Sequence, residues 1–141
     1  MNKNIILLEE SGNWGKALKL LKLDILKESY SDQKNYHVLG RLYQRLGKLN
    51  SARRAYLKVI ELNPISPRTI NNLLLLELNL FNVKKANNWL ELGMKLSEIT
   101  VNEKELLYSS ACELKLFELK HLEALELIEK QINLNPSIMA Y

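Results

Sequence analysis

The chain is poor in the residues that many fold types depend on. One cysteine, Cys112, in 141 residues excludes an internal disulfide, and with it a disulfide-stapled secreted domain. Five glycines and three prolines are too few for a fold rich in tight turns. Apolar residues recur at helical rather than alternating spacing, so an all-α protein is expected. No stretch approaches the ~18–20 uncharged residues of a membrane span. Near the N-terminus, Ile5-Ile6-Leu7-Leu8 is followed directly by Glu9 and Glu10, too short for the ~7–15-residue apolar region of a signal peptide. A cytoplasmic protein is the expectation, although a leader or anchor removed upstream of Met1 would leave no trace in these residues.

Charge of one sign is also scarce. A net charge of +4 favours acidic partners only mildly and is no signature of nucleic-acid binding. Nor is there a constellation that carries chemistry. His37 and His121 fall on different predicted helices, and neither has a second metal ligand at helical spacing. Cys112 lies within an apolar helical pattern and reads as a buried structural thiol. No glycine-rich phosphate loop is present. No catalytic residue, metal, cofactor or small-molecule substrate is therefore expected. With 47% hydrophobic and 26% charged residues, residues 1–141 suffice for one domain with an ordinary core.

What the sequence does contain is a repeat. Tyr36, Leu39, Gly40 and Tyr43 lie on one stripe of a 3.6-residue helix. Ala52 and Tyr56 follow on a second helix, Gly47 marks the break between the two, and Pro64 the stop. Gly40 leaves a hole in the first stripe that the bulk of Tyr56 can enter. This spacing resembles one tetratricopeptide repeat, in which two antiparallel helices meet through small residues. The resemblance implies a right-handed superhelical solenoid of antiparallel helix pairs, with seven or eight helices and repeats near 1–32, 33–66, 67–100 and 101–138.

Sliding the template places Gly12, Trp14, Ala17 and Leu21 over Gly47, Leu49, Ala52 and Tyr56, with Asn13 able to cap a helix from Trp14 to about Lys27. The interval exceeds the ~34-residue period by one, and the turn around Tyr30-Ser31-Asp32 can absorb the extra residue. The third copy starts at Ser66-Pro67, a hydroxyl cap and an N1 proline. It replaces Gly40 by Leu74, Tyr43 by Glu77 and Tyr56 by Leu90, and Trp89 is expected to pack between repeats. The fourth opens on the capping box Thr100-Val101-Asn102-Glu103. Its expected helices run from Asn102 to about Leu119 and from about His121 to Leu134. The second of these carries apolar residues on more than one side, a surface available to a further repeat or to self-association.

In this family the polar side of each first helix lines a concave groove, so the resemblance implies a peptide-binding surface. Lys34, His37, Arg41 and Arg45 share that side in the second copy, as do Arg68, Asn71, Leu75 and Leu78 in the third. The arginines suit a carboxylate, and Leu75 and Leu78 suit an apolar anchor. The equivalent line of the fourth copy is Asn102, Glu105, Ser109 and Glu113. The implied function is a non-catalytic adaptor, scaffold or chaperone-like module that binds an acidic or C-terminal peptide segment of another protein. A component of a bacterial pilus-biogenesis or secretion assembly is an alternative. Helical-repeat RNA binding is a third reading, weakened by the absence of one base-reading residue per repeat.

Overall fold

The computed structural model describes residues 2–27 and 32–134. Seven helices and no strand are found among them: α1 (Lys3–Glu10), α2 (Trp14–Lys27), α3 (Gln33–Arg45), α4 (Leu49–Leu62), α5 (Pro67–Asn79), α6 (Val83–Met94) and α7 (Val101–Leu134). The expected turn at Tyr30-Ser31 lies outside the described residues.

Local chemistry accounts for most of the helix ends. The side chains of Asn2 and Asp32 accept from the backbone N–H groups of Asn4 and Lys34, each at 2.9 Å, satisfying donors that the first turn leaves open. The Thr100/Glu103 capping box forms in both directions, with distances of 2.9 and 3.2 Å. Two expected caps act differently. Asn13 turns its amide to Ser11 Oγ at 3.0 Å, and Ser66 Oγ donates to Thr69 Oγ1 at 2.9 Å while Pro67 holds the first position of α5. The turns between paired helices reverse through Gly12 (φ +82°), Gly47 (φ +75°) and, at the equivalent place in the third pair, Phe81 (φ +59°). Glycine enters this left-handed region freely, whereas phenylalanine is strained there.

The core runs through the stack in three linked clusters. Ile5 of α1, Leu18 and Leu21 of α2, and Val38 and Leu42 of α3 form the first. Ala52 and Tyr56 of α4 meet Leu73 and Leu76 of α5 in the second. Leu74 and Leu78 of α5, Ala86 of α6 and Leu114 of α7 form the third. Tyr43 joins the first to the second, and Trp89 the second to the third, so Trp89 does pack between helix pairs.

Within the second pair, Gly40 and Tyr56 meet as their spacing predicts. A Cβ on Gly40 would lie 2.5 Å from Tyr56 Cε1, well inside any tolerable carbon contact. Tyr56 is 1% exposed, and its hydroxyl donates to Gln44 Oε1 at 2.9 Å. In the third pair the bulk changes sides, because Leu74 is buried where the second pair has Gly40. Glu77, standing where Tyr43 would be, is 2% exposed. It survives burial because Arg53 grips both carboxylate oxygens at 2.7 and 2.8 Å and Asn82 adds a third hydrogen bond at 2.9 Å.

The last element departs from expectation. No turn occurs between Leu119 and His121; α7 is one continuous helix of 34 residues. Leu119-Lys120-His121 contains no glycine, proline or asparagine to end it, and Phe117 and His121 stack one turn apart with ring centroids 6.3 Å from each other. Leu107, Ser110 and Leu114 are buried, whereas every residue from Leu119 to Gln131 is exposed. Cys112, expected inside, is exposed too, because it lies off the Leu107/Leu114 stripe.

Candidate functional site

α3 carries the polar stripe. Lys34, His37, Arg41 and Arg45 are three or four residues apart, so they follow one line of the helix surface. On one side of that line lies α1, on the other the start of α5. Together these first helices of the three pairs line an open cavity of about 840 Å³. All four α3 residues line it, with Val38 at its floor. α1 contributes Ile6, Glu9 and Glu10, α5 contributes Arg68, and Asn63 and Ser66 close the end where α4 passes into α5.

Of the eight residues assigned to a groove from sequence, five meet here: Lys34, His37, Arg41, Arg45 and Arg68. The other three do not. Asn71 is buried and takes a hydrogen bond from Ser110 Oγ of α7. Leu78 is buried and Leu75 half-buried in the cluster that holds Leu114. These residues cannot serve as free anchors because α7 lies on that side of α5 and uses them as its seat. Asn102, Glu105, Ser109 and Glu113 of α7 are exposed and do not line the cavity.

The electrostatics of the stripe also differ from its formal charge. Arg41 holds Glu9 of α1 through two hydrogen bonds, Nε to Oε1 at 2.5 Å and Nη2 to Oε2 at 2.9 Å. Arg45 stands 3.8 Å from the same carboxylate, with its guanidinium 5.6 Å from the centre of the Trp14 ring, within cation–π range. The hydrogen bond from Arg41 holds the Glu9 carboxyl below its ordinary value against the opposing effect of burial, and raises Arg41 in turn. His37 is no third cation at neutral pH. Burial lowers its pKa from the ordinary 6.5, and Arg41 and Arg68 lower it further. The imidazole lies 5.7 Å from the Tyr56 ring, with Nδ1 3.2 Å from Thr69 Oγ1. Lys34 and Arg68 are exposed and form no ion pair among the described residues.

Glu9, with Ile6 and Val38, is among the site residues that the sequence reading did not assign to the groove. A signal was available: sliding the repeat template puts α1 beside α3, and an acid in the last turn of α1 then faces two arginines of its neighbour. A smaller hollow of about 450 Å³ lies between α4 and α6, walled by Leu57, Trp89 and Leu92 above the Arg53–Glu77 pair. Among the described residues no group of three or more His, Cys, Asp or Glu side chains is placed to hold a metal ion, and no helix is long and apolar enough to cross a membrane.

The cavity is walled by the first helices of successive pairs, and α3 with α4 is the best-formed pair. The family model described as "Tetratricopeptide repeat" matches residues 33–66, the span of that pair. Residues 33–66 are a tetratricopeptide repeat. In this repeat α3 is the first helix and Gly40 its crossing point with α4. No curated protein sequence matches the chain.

Solved structures extend the likeness beyond the repeat. The Yersinia enterocolitica type III secretion chaperone SycD, in complex with a peptide of the translocator YopD, is 21% identical. It covers 84% of this chain and 90% of its own, with a TM-score of 0.73. PcrH in complex with the chaperone binding region of PopD is 18% identical over 84% of this chain and 89% of its own, with a TM-score of 0.72. PcrH from Pseudomonas aeruginosa is 18% identical over 82% and 87%, with a TM-score of 0.70. At these identities the likeness concerns the fold: an all-α solenoid of antiparallel pairs of the tetratricopeptide type.

Proposed function

We propose that this chain is a non-catalytic protein-interaction module of the cytoplasm, which receives a peptide segment of a partner protein in the cavity between α1, α3 and α5. The observation that carries the reading is the cavity itself. Its wall combines apolar Ile6 and Val38 with the cations Lys34 and Arg68, and a side chain with both apolar and charged neighbours finds complementary surface there. The fold supports the reading, since SycD, which shares it, is seen bound to a peptide of the translocator YopD, and PcrH to the chaperone binding region of PopD. The chain is read as one domain of repeats near 1–32, 33–66, 67–100 and 101–138, in which the last contributes a single long helix to the described residues.

Those same relatives favour a secretion assembly as the setting, with the partner an exported protein. A nucleic-acid partner gains no support, because Glu9 pairs with Arg41 and so offsets one of the positive charges of the basic stripe. The test is to capture partners from the source cell, cut the captured protein into overlapping peptides, and titrate each against the isotope-labelled chain by NMR. Shifts centred on Ile6, Lys34 and Val38 are expected. A binding peptide that moves only α7, or only the hollow between α4 and α6, would show that the cavity is not the binding surface.

A further inference from the structure

The cavity is electrically divided along α3. At one end, Glu9 lies against Arg41 and Arg45 with its side chain 10% exposed and both carboxylate oxygens taken by the Arg41 fork. A ligand acid aimed at Arg41 must first displace an intramolecular acid that is already geometrically matched, so it gains little there. At the other end, Lys34 and Arg68 extend from the first turns of α3 and α5 without a paired acid among the described residues. Between them stands the His37 imidazole, which remains neutral in this cationic and partly buried setting and offers polarity rather than charge.

We propose that the Lys34/Arg68 end is the carboxylate-receiving subsite of the cavity. In this division Arg41 is a wall residue committed to Glu9, and Ile6 with Val38 takes the apolar neighbour of the bound acid. The ligand class is a peptide in which an aspartate or glutamate adjoins an apolar side chain. This deepens the reading of the cavity as a peptide site and rests on it. It also narrows the sequence-based assignment, in which Arg41, Arg45 and Arg68 were the groups expected to meet a partner's acid. Charge alone marked these residues; only the position of α1 shows that Arg41 is already matched by Glu9.

The experiment pans a display library of random dodecapeptides against the full chain and measures binding of the enriched peptides to three proteins: wild type, Lys34→Ala/Arg68→Ala, and Glu9→Gln/Arg41→Gln. Lys34 and Arg68 are exposed, so the first variant should melt as wild type does; the second removes the ion pair and both of its charges. Enriched peptides are expected to carry an acid beside an apolar residue, to lose about tenfold or more in affinity with the first variant, and to change by less than about threefold with the second. Loss of their salt dependence in the first variant alone would add support. Peptides without acids, or equal binding by wild type and the Lys34→Ala/Arg68→Ala variant, would overturn the subsite while leaving the cavity a peptide site. An equal or larger loss in the Glu9→Gln/Arg41→Gln variant would return the carboxylate to Arg41. If the enriched peptides shift no resonance at Ile6 or Val38, the subsite falls together with the proposed function.

Discussion

Tyr56 occupies the volume that a side chain on Gly40 would need: a Cβ there would sit 2.5, 2.6 and 2.9 Å from three ring carbons. The ring is held from the other side by the second core cluster and by its hydrogen bond to Gln44, so it cannot retreat without cost. Gly40→Ala is expected to destabilise the fold by roughly 1–3 kcal/mol, and Gly40→Leu by at least as much. The third pair supplies the remedy, since it has leucines in both places. Gly40→Leu combined with Tyr56→Leu should recover part of the loss, and a double-mutant cycle in urea measures the coupling. A purely additive cycle would contradict the contact.

Acid should weaken the molecule through two carboxylates. Glu9 is held below its ordinary 4.5 by the Arg41 hydrogen bond. Glu77 is pushed up by burial, but the hydrogen bonds of Arg53 and Asn82 outweigh that and lower it overall. A depressed carboxyl contributes stability that is present above its unfolded value and is lost as pH falls through the folded one. Unfolding free energy is therefore expected to drop as pH goes below about 4.5, on top of a decline that starts below 6.5 because burial also lowers His37. Glu9→Gln should flatten part of this acid limb while changing stability at pH 7 by only about 0.2–1 kcal/mol, because the Arg41 side chain is 40% exposed and its pairing is screened by water. Denaturant melts of both proteins between pH 3 and 7 provide the check.

The alkaline limb belongs to Tyr56. Burial pushes its phenol from 10.0 up to about 12. The folded state thus favours the neutral ring, and its contribution is complete below pH 10 and lost as pH rises toward 12. Tyr56→Phe should remove this limb. At neutral pH it should cost about 0.5–1.5 kcal/mol, the worth of the hydrogen bond to Gln44. Absorbance titration of the phenols gives an independent reading of the shift.

α7 is expected to divide in function at about Leu119. Leu107, Ser110 and Leu114 fasten its first half to the core, and Asn87 reaches Glu118 at 2.8 Å. Beyond that point Leu122, Leu125, Leu127 and Ile128 are all exposed. Truncation after Leu119 should leave the melting temperature of the body nearly unchanged, and amides from 121 to 134 should exchange much faster than those from 105 to 117. The apolar overhang is also the surface through which self-association is expected. Concentration-dependent sedimentation should weaken in a Leu125→Glu/Ile128→Glu variant.

The second repeat was legible in the residues because its chemistry is local: a stripe repeating every 3.6 residues, a glycine opposite an aromatic ring, glycine at the turn and proline after the end. Gly40, Tyr56, Gly47 and the Thr100/Glu103 box can be read without knowing what lies across the fold. The partners of a charged or apolar side chain cannot be read that way. Leu75 and Leu78 resembled groove anchors until α7 was placed on α5, and Arg41 resembled an open carboxylate receptor until α1 brought Glu9 against it. The unbroken path of α7 past Leu119 likewise depends on continuing helix geometry, with no local stop signal to end it. The sequence by itself determined the helices up to Met94, their pairing and the side on which a cavity could form. Tertiary structure alone decided which cations in that cavity remain unpaired, because burial and ion pairing depend on distances between residues some thirty positions apart, which helical spacing within one segment cannot encode.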